Sequence, residues 1–385
     1  MATDFTVDRN TVKYVLNSSG DIASVAIDTP AIEYNTDGTY KGLLVEPAST
    51  NICLQSEDIN TTWIDANATP TQSTEETPDG DTTNKYIKLV DDSGGGTGGV
   101  YIDQTITVSA NTKYTASVFL KADQLAFARL AARVYDGATN GEQYFELSGA
   151  GSLGTASNLD DSSIVAYPNG WYRCSITWTQ GAADTSFTYR IAVADSISNV
   201  TVDLDGTSSI FVWGAQVEAS PIATSYIPTT TASVTRNKDD ITLTGASDLI
   251  GQSEGTLYVE VDVRNNPDSG QDILYISNNN FTNRIYINLG TTGGIRVEGT
   301  DGLSIAGSVI TGVNKIAVGY AGNNTKLFVN GSQIGTDTTC TISSGKTDID
   351  IGQSYAATLQ ANMWIRAVAL YKTRLTDDQL ADLTS

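Results

Sequence analysis

Residues 113–121 read KYTASVFLK, and their apolar and polar side chains alternate one by one. Tyr114, Ala116, Val118 and Leu120 fall on one side, with Lys113, Thr115, Ser117, Phe119 and Lys121 on the other. WYRCSITW sets Tyr172, Cys174, Ile176 and Trp178 opposite Trp171, Arg173, Ser175 and Thr177 in the same way. TLYVEVDV sets Leu257, Val259, Val261 and Val263 opposite Tyr258, Glu260 and Asp262. A period of two held this long fits antiparallel strands with one face on a core and one in water. A helical signal occurs at the end, where Thr376 can cap DDQLADL with acids in its first turn. The expected fold is all-β.

Turn signals separate the strands: DDSGGGTGGV at 91–100, Pro168-Asn169-Gly170, and Asn330-Gly331 within LFVNGSQIG. The last is a hairpin signal, because Asn-Gly supplies the positive φ that a type I′ turn needs. With 385 residues, 35 of them Gly, the chain is long enough for two or three domains. In FVWGAQVE, Phe211, Trp213, Ala215 and Val217 share one face, as in a final core strand. Pro221, Pro228 and a Thr/Ser run follow, and prolines cannot donate to a sheet ladder. The expected organisation is two tandem antiparallel β-sandwich (jelly-roll) modules, with a short N-terminal β segment and a short C-terminal helix. Residues 1–50 are expected as an extended attachment segment, 51–220 as the first sandwich, 221–240 as an exposed connector and 241–385 as the second. VKYVLNSSGDIASVAID (12–28) fits a hairpin that is marginal alone and so needs a module or another chain to pack on.

Charge and composition narrow the function. With 22 basic and 44 acidic residues the net charge is −22, which repels phosphate backbones and anionic lipid and disfavours nucleic acid as a partner. No apolar run is long enough to cross a membrane, and MATDFTVDRN has no signal-peptide pattern. The three cysteines, Cys53, Cys174 and Cys340, have no metal or redox spacing and read as buried thiols. The absence of histidine excludes Ser-His-Asp, Cys-His and His-zinc machinery. Glu260 and Asp262 share a strand face, and glycoside hydrolysis needs only two carboxylates. Glu260-Val261-Asp262 resembles the start of the E-x-D-x-x-E signature of concanavalin-fold glycosidases, but Asn265 and Asn266 stand where its third acid should follow, so no enzyme is expected.

Several longer segments resemble a known family. GLLVEPASTN (42–51), followed by Ser56, Asp58 and Trp63, is similar to the entry segment of tailed-bacteriophage structural proteins of the fibre, tail or head-decoration type. NGWYRCSITW and WGAQVEASPIATSYIPTTTASVTRNKD resemble the middle and end of their carbohydrate-binding-module-like jelly roll. GTLYVEVDV through KLFVNGSQIG to IRAVALYKTRLTDDQLADL resembles a concanavalin A/laminin-G-like sandwich. The resemblance implies a virion protein assembled in a host cytoplasm, a homo-oligomer such as a trimer. Its partners would be other virion proteins and a host-surface glycan. It also implies that a structural calcium could be carried, with no other cofactor. The leading function is a non-catalytic fibre or tail component contacting host-surface polysaccharide. The alternatives are a purely structural head-decoration or tail-assembly subunit and, least favoured, a polysaccharide depolymerase.

Parity also suggests a ligand face on the first sandwich. If Ala128, Leu130, Ala132 and Val134 face the core, then Phe127, Arg129, Arg133 and Tyr135 face outward. The same parity adds Phe119, Trp171, Arg173 and Arg190 from other strands. Aromatic rings stack on sugars, and arginine makes bidentate hydrogen bonds to acidic groups. Three readings stay open for this face: a glycan site, a subunit interface, or a salt-bridge ladder with Glu142 and Glu146.

Overall fold

The computed structural model describes residues 5–264, 270–291, 294–300, 302–356 and 358–385. Nearly every element is an antiparallel strand, and the one α-helix among the described residues is Asp377–Thr384. Its Thr376 cap accepts from Gln379 N while the Gln379 side chain bonds the Thr376 backbone, a full capping box.

The first sandwich has two six-stranded sheets. The outer sheet runs Ser152–Ser157, Thr139–Glu146, Phe127–Asp136, Ser186–Ala194, Tyr101–Thr107, Ile64–Ala66. The inner sheet, turned toward the second sandwich, runs Asp161–Ala166, Trp171–Thr179, Lys113–Ala122, Ser209–Glu218, Lys85–Asp91, Ala68–Ser73. Leu130, Phe145 and Ile191 from one sheet meet Val118, Cys174, Trp178 and Val212 from the other in a shared core. These are the inward positions of the alternating patterns.

The second sandwich has two seven-stranded sheets. The front sheet runs Thr6–Asp8, Asp240–Leu243, Asp348–Ile351, Gln271–Ser277, Arg284–Leu289, Gly294–Gly299, Ser304–Val309. The back sheet runs Ser332–Asp337, Thr325–Val329, Gly312–Ala321, Glu254–Val263, Met363–Tyr371, Tyr40–Val45, Ile32–Tyr34. Asn330 and Gly331 turn the hairpin with φ of 48° and 80°. The helix lays Leu380 on Tyr258, Ala317 and Phe328, covering part of the back sheet's outer face.

Two expectations about the domain plan are corrected. Of the expected segment 1–50, the described residues 5–50 are not separate, because Thr6–Asp8 pairs with Asp240–Leu243 and Tyr40–Val45 pairs with Met363–Tyr371. Leu43 and Val45 enter the second sandwich's core, so the first sandwich is an insertion between two of its strands. Nor is 221–240 an exposed connector throughout. Thr224, Ser225, Tyr226 and Ile227 are buried, and Val234–Arg236 pairs with Ser49–Asn51, so both crossings between the sandwiches form one ribbon. Residues 230–235 remain exposed.

The hairpin of Lys13–Leu16 and Ile22–Val25 is a wedge between the sandwiches. Leu16 and Ile22 pack on Phe119, Trp171 and Trp213 of the first, while Val15 packs with Leu44 and Trp364 of the second. Successive strand residues point oppositely, so four residues can grip both bodies. Beside it, Lys13 Nζ lies 2.7 Å from Asp239 Oδ2 and 3.1 Å from Glu46 Oε2. Arg9 Nη1 is 2.8 Å from Asp239 Oδ1, Arg264 Nη1 is 2.9 Å from Glu46 Oε1, and Arg236 Nη2 is 3.6 Å from Glu46 Oε2. Burial pushes the Glu46 carboxyl up, but Lys13, Arg236 and Arg264 outweigh it and hold the group well below the usual carboxylate range.

Candidate functional site

The wedge leaves a cleft of about 380 Å³ between the sandwiches. Its floor includes Tyr14 and Leu16 of the hairpin and Tyr226 of the returning ribbon. One wall is the outward face of the first sandwich's inner sheet, with Ser163, Val165, Arg173 and Ser175. The facing wall carries Glu33, Lys41, Asp262, Arg264 and Trp364.

Trp364 anchors the second wall. Its Nε1 donates to Glu33 Oε2 at 2.8 Å, Lys41 Nζ lies 3.6 Å from its ring centroid and the Arg264 guanidinium 4.8 Å away. Arg264 is fixed from behind by Glu46, by Asn362 Oδ1 at 3.1 Å and by Ala223 O at 3.1 Å. Burial lowers the Lys41 ammonium from its ordinary value, opposed by Glu33.

The first wall is built differently. Arg173 faces Phe119 and Val165 across its two strand partners. Its guanidinium lies 5.4 Å from the Phe119 centroid and Nη2 donates to Ser117 Oγ at 3.2 Å. Arg173 Nε is buried and has no hydrogen-bond partner, and no carboxylate lies in ion-pair range of this arginine among the described residues. Tyr167 meets Phe119 edge-on at 5.0 Å, and burial raises its phenol above the usual value.

Of the eight residues expected on one face, only Phe119 and Arg173 line this cleft. Trp171 is on the same sheet face but fully buried under the hairpin, donating from Nε1 to Glu76 O at 2.8 Å. The others lie on the opposite sheet, because Phe127–Asp136 pairs with Thr139–Glu146 and Ser186–Ala194, not with Lys113–Ala122. There Arg129 pairs with Glu142 at 3.0 Å, and Arg190 grips Asp103 through Nε and Nη2 at 2.7 and 2.6 Å. The Arg190 guanidinium also stacks 3.3 Å from the Tyr101 centroid. Phe127 and Arg133 are half-buried on this side. Tyr135 is turned away from it: Val134 takes φ 51° at an irregularity in the strand, and Tyr135 packs 6.5 Å from Trp178 against the core. The single face expected from parity is therefore two faces on opposite sides of the sandwich.

Sequence reasoning missed Glu33, Lys41, Tyr167, Arg264 and Trp364. The available signal was Trp364, the lone tryptophan of the second half. Of the carboxylates considered for hydrolysis, Glu260 Oε1 accepts from Arg366 Nε at 2.7 Å and Asp262 lines the cleft. Asn265 and Asn266 lie outside the described residues.

A second polar surface lies on the outer face of the front sheet. Asp8, Asp240, Asp348 and Asp350 share a depression with Tyr355, beside the stacked Tyr275 and Tyr286 at 5.0 Å. Burial, then Asp240, Asp348 and Asp272, push the Asp350 carboxyl up to about 7. Burial likewise pushes Asp272 up to about 7. These acids share a face without converging: among the described residues no three His, Cys, Asp or Glu side chains could hold a metal ion. The described residues thus offer no cluster of three such side chains for the structural calcium that the resemblance implies.

No protein-family model and no curated protein matches the chain. Among solved structures it is similar to the CBM40 of Ruminococcus gnavus IT-sialidase, with TM-score 0.32 and 18% identity over 36% of this chain and 86% of that one. It is similar to domain 4 of AbnA, a GH43 extracellular arabinanase from Geobacillus stearothermophilus in complex with arabinotriose, with TM-score 0.32 and 14% identity over 43% and 82%. It is also similar to mouse laminin α1 chain domains LG4-5, with TM-score 0.29 and 8% identity over 69% and 84%.

Proposed function

We propose that this protein is a non-catalytic, carbohydrate-binding component of a bacteriophage virion, which holds host-surface polysaccharide in the cleft between its two sandwiches. The observation that carries the carbohydrate reading is the cleft itself. At about 380 Å³ it has the size of a small-ligand site, and its lining combines aromatic rings, hydroxyls and charges of both signs. Ser163, Ser175, Asp161 and Asp262 offer hydrogen bonds to sugar hydroxyls, and Tyr14, Tyr167 and Trp364 supply apolar surface for ring faces. The virion assignment, with other virion proteins and a homo-oligomer as context, draws on the resemblance of 42–63, 169–178 and 213–239 to tailed-phage structural proteins.

The test is a glycan array with the full chain, followed by titration of each hit into Val165→Trp. Val165 lines the cleft and is 51% exposed, so the larger ring fills the cavity without disturbing the core. Binding lost in this variant supports the reading. Binding unchanged, or no glycan bound at all, overturns it.

A further inference from the structure

We infer that the cleft selects an acidic saccharide and that Arg173 holds its carboxylate, with Lys41 on the facing wall adding attraction. This rests on the cleft being a carbohydrate site and names the class of sugar it takes.

Acids outnumber bases by 44 to 22, so an arginine in this chain has carboxylates in abundance. Arg9, Arg129, Arg190, Arg236, Arg264 and Arg366 all hold one. Arg173 holds none, and neither do Arg133 and Arg284 among the described residues, but of these three only Arg173 lines the cleft, where its buried Nε–H is left unsatisfied. A buried donor on a charged group is costly to leave unmade, and a carboxylate oxygen in the cleft would satisfy it. Lys41 is likewise without a carboxylate in ion-pair range among the described residues, and its ammonium is held over the Trp364 ring.

Three cations of the lining, Lys41, Arg173 and Arg264, face three carboxylates, Glu33, Asp161 and Asp262, so the cavity has no excess of positive charge. Arg264 already holds Glu46, which leaves Arg173 and Lys41 as the lining cations without a carboxylate in ion-pair range among the described residues. They suit a single carboxylate, such as that of a uronic or sialic acid, and the acids of the lining disfavour a doubly charged phosphate more strongly than a monoanion. The remaining hydroxyls and acids of the walls suit the sugar's own hydroxyls.

The experiment is calorimetric titration of the full chain with three carboxylated probes: trigalacturonate, a hyaluronan tetrasaccharide and a sialyllactose. Each is run beside its uncharged counterpart, carboxyl-reduced or desialylated. At least one carboxylated probe should bind about tenfold or more tighter than its uncharged partner, with the preference shrinking as salt rises. Arg173→Gln should abolish the preference and Arg173→Lys should restore part of it. Arg133→Gln, on the far side of the same sandwich, should leave it unchanged. Equal binding of charged and uncharged forms, with Arg173→Gln indifferent, overturns this inference while the cleft remains a saccharide site. No binding of any probe or array glycan overturns both. The paired probes compare ligands on the unaltered protein, so the result stands even if a variant folds poorly.

Discussion

Asp239 and Asp240 are neighbours in the chain, yet they belong to two charge clusters built on opposite principles, the first buried and the second partly exposed. Asp239 joins Glu46 among Arg9, Lys13, Arg236 and Arg264, a cluster in which each carboxylate has at least two cations. Asp240 joins Asp8, Asp348 and Asp350 on the front sheet, where Lys238 at 3.7 Å is the nearby cation. Burial acts on both, but Glu46 stays ionised far below its usual range while Asp350 is pushed up to about 7. Burial raises both acids, and the company around each decides whether that rise stands. The first cluster ties the crossings between sandwiches; the second is held at some cost in the folded state.

The largest expected effect comes from breaking the compensated cluster. Glu46→Ala leaves Lys13, Arg236 and Arg264 without their shared partner and should destabilise by about 3–5 kcal/mol, read by chemical denaturation. A loss below about 1 kcal/mol would show that the junction does not depend on this cluster.

The uncompensated cluster should respond in the opposite sense. The folded-state value of Asp350, about 7, lies above its ordinary 3.8, so its stabilising contribution is full below about 4 and is lost as pH rises through 7. Thermal stability should therefore fall between pH 5 and pH 8. Asp350→Asn should flatten that fall and raise stability at pH 8 by roughly 1–3 kcal/mol. Unchanged pH dependence in the variant would contradict the account. Glu46 contributes with the reverse sign: its share is present above about 4.5 and is lost only in strong acid.

A smaller effect is expected where charges are paired at the surface. Arg129→Ala removes a partly exposed pair with Glu142 and should cost about 0–1 kcal/mol, with glycan binding untouched. Loss of glycan binding in this variant would move the site to the outer sheet. Proteolysis within the exposed stretch 230–235 should leave the two pieces together under native conditions, since the hairpin wedge and Glu46 cluster still join them. Size-exclusion chromatography of the nicked chain reads this directly.

Individual strands were legible in the sequence because their signal is local. The alternation in 113–121 and 171–178, the Asn330-Gly331 turn and the Thr376 cap all depend on residues within a few positions of one another. Strand partners were not legible. Parity alone puts Arg129 and Phe119 on one face, but their strands lie in different sheets, which no local pattern encodes. GLLVEP showed apolar residues needing cover, but the cover for Leu43 and Val45 comes from strands more than two hundred residues away, across the inserted sandwich. The cleft suffers most from this. Its Trp364–Glu33 bond spans 331 residues, and no spacing rule connects such positions.

The most direct test of the central claim is a crystal structure of the full chain with the tightest-binding acidic oligosaccharide. The account predicts the sugar between the sandwiches, its carboxylate within hydrogen-bond distance of Arg173 Nε and a ring face against the apolar surface near Trp364. A sugar bound instead on the front-sheet face near Tyr275 and Asp350, or on the Arg129–Arg190 face, with the cleft empty, would contradict it.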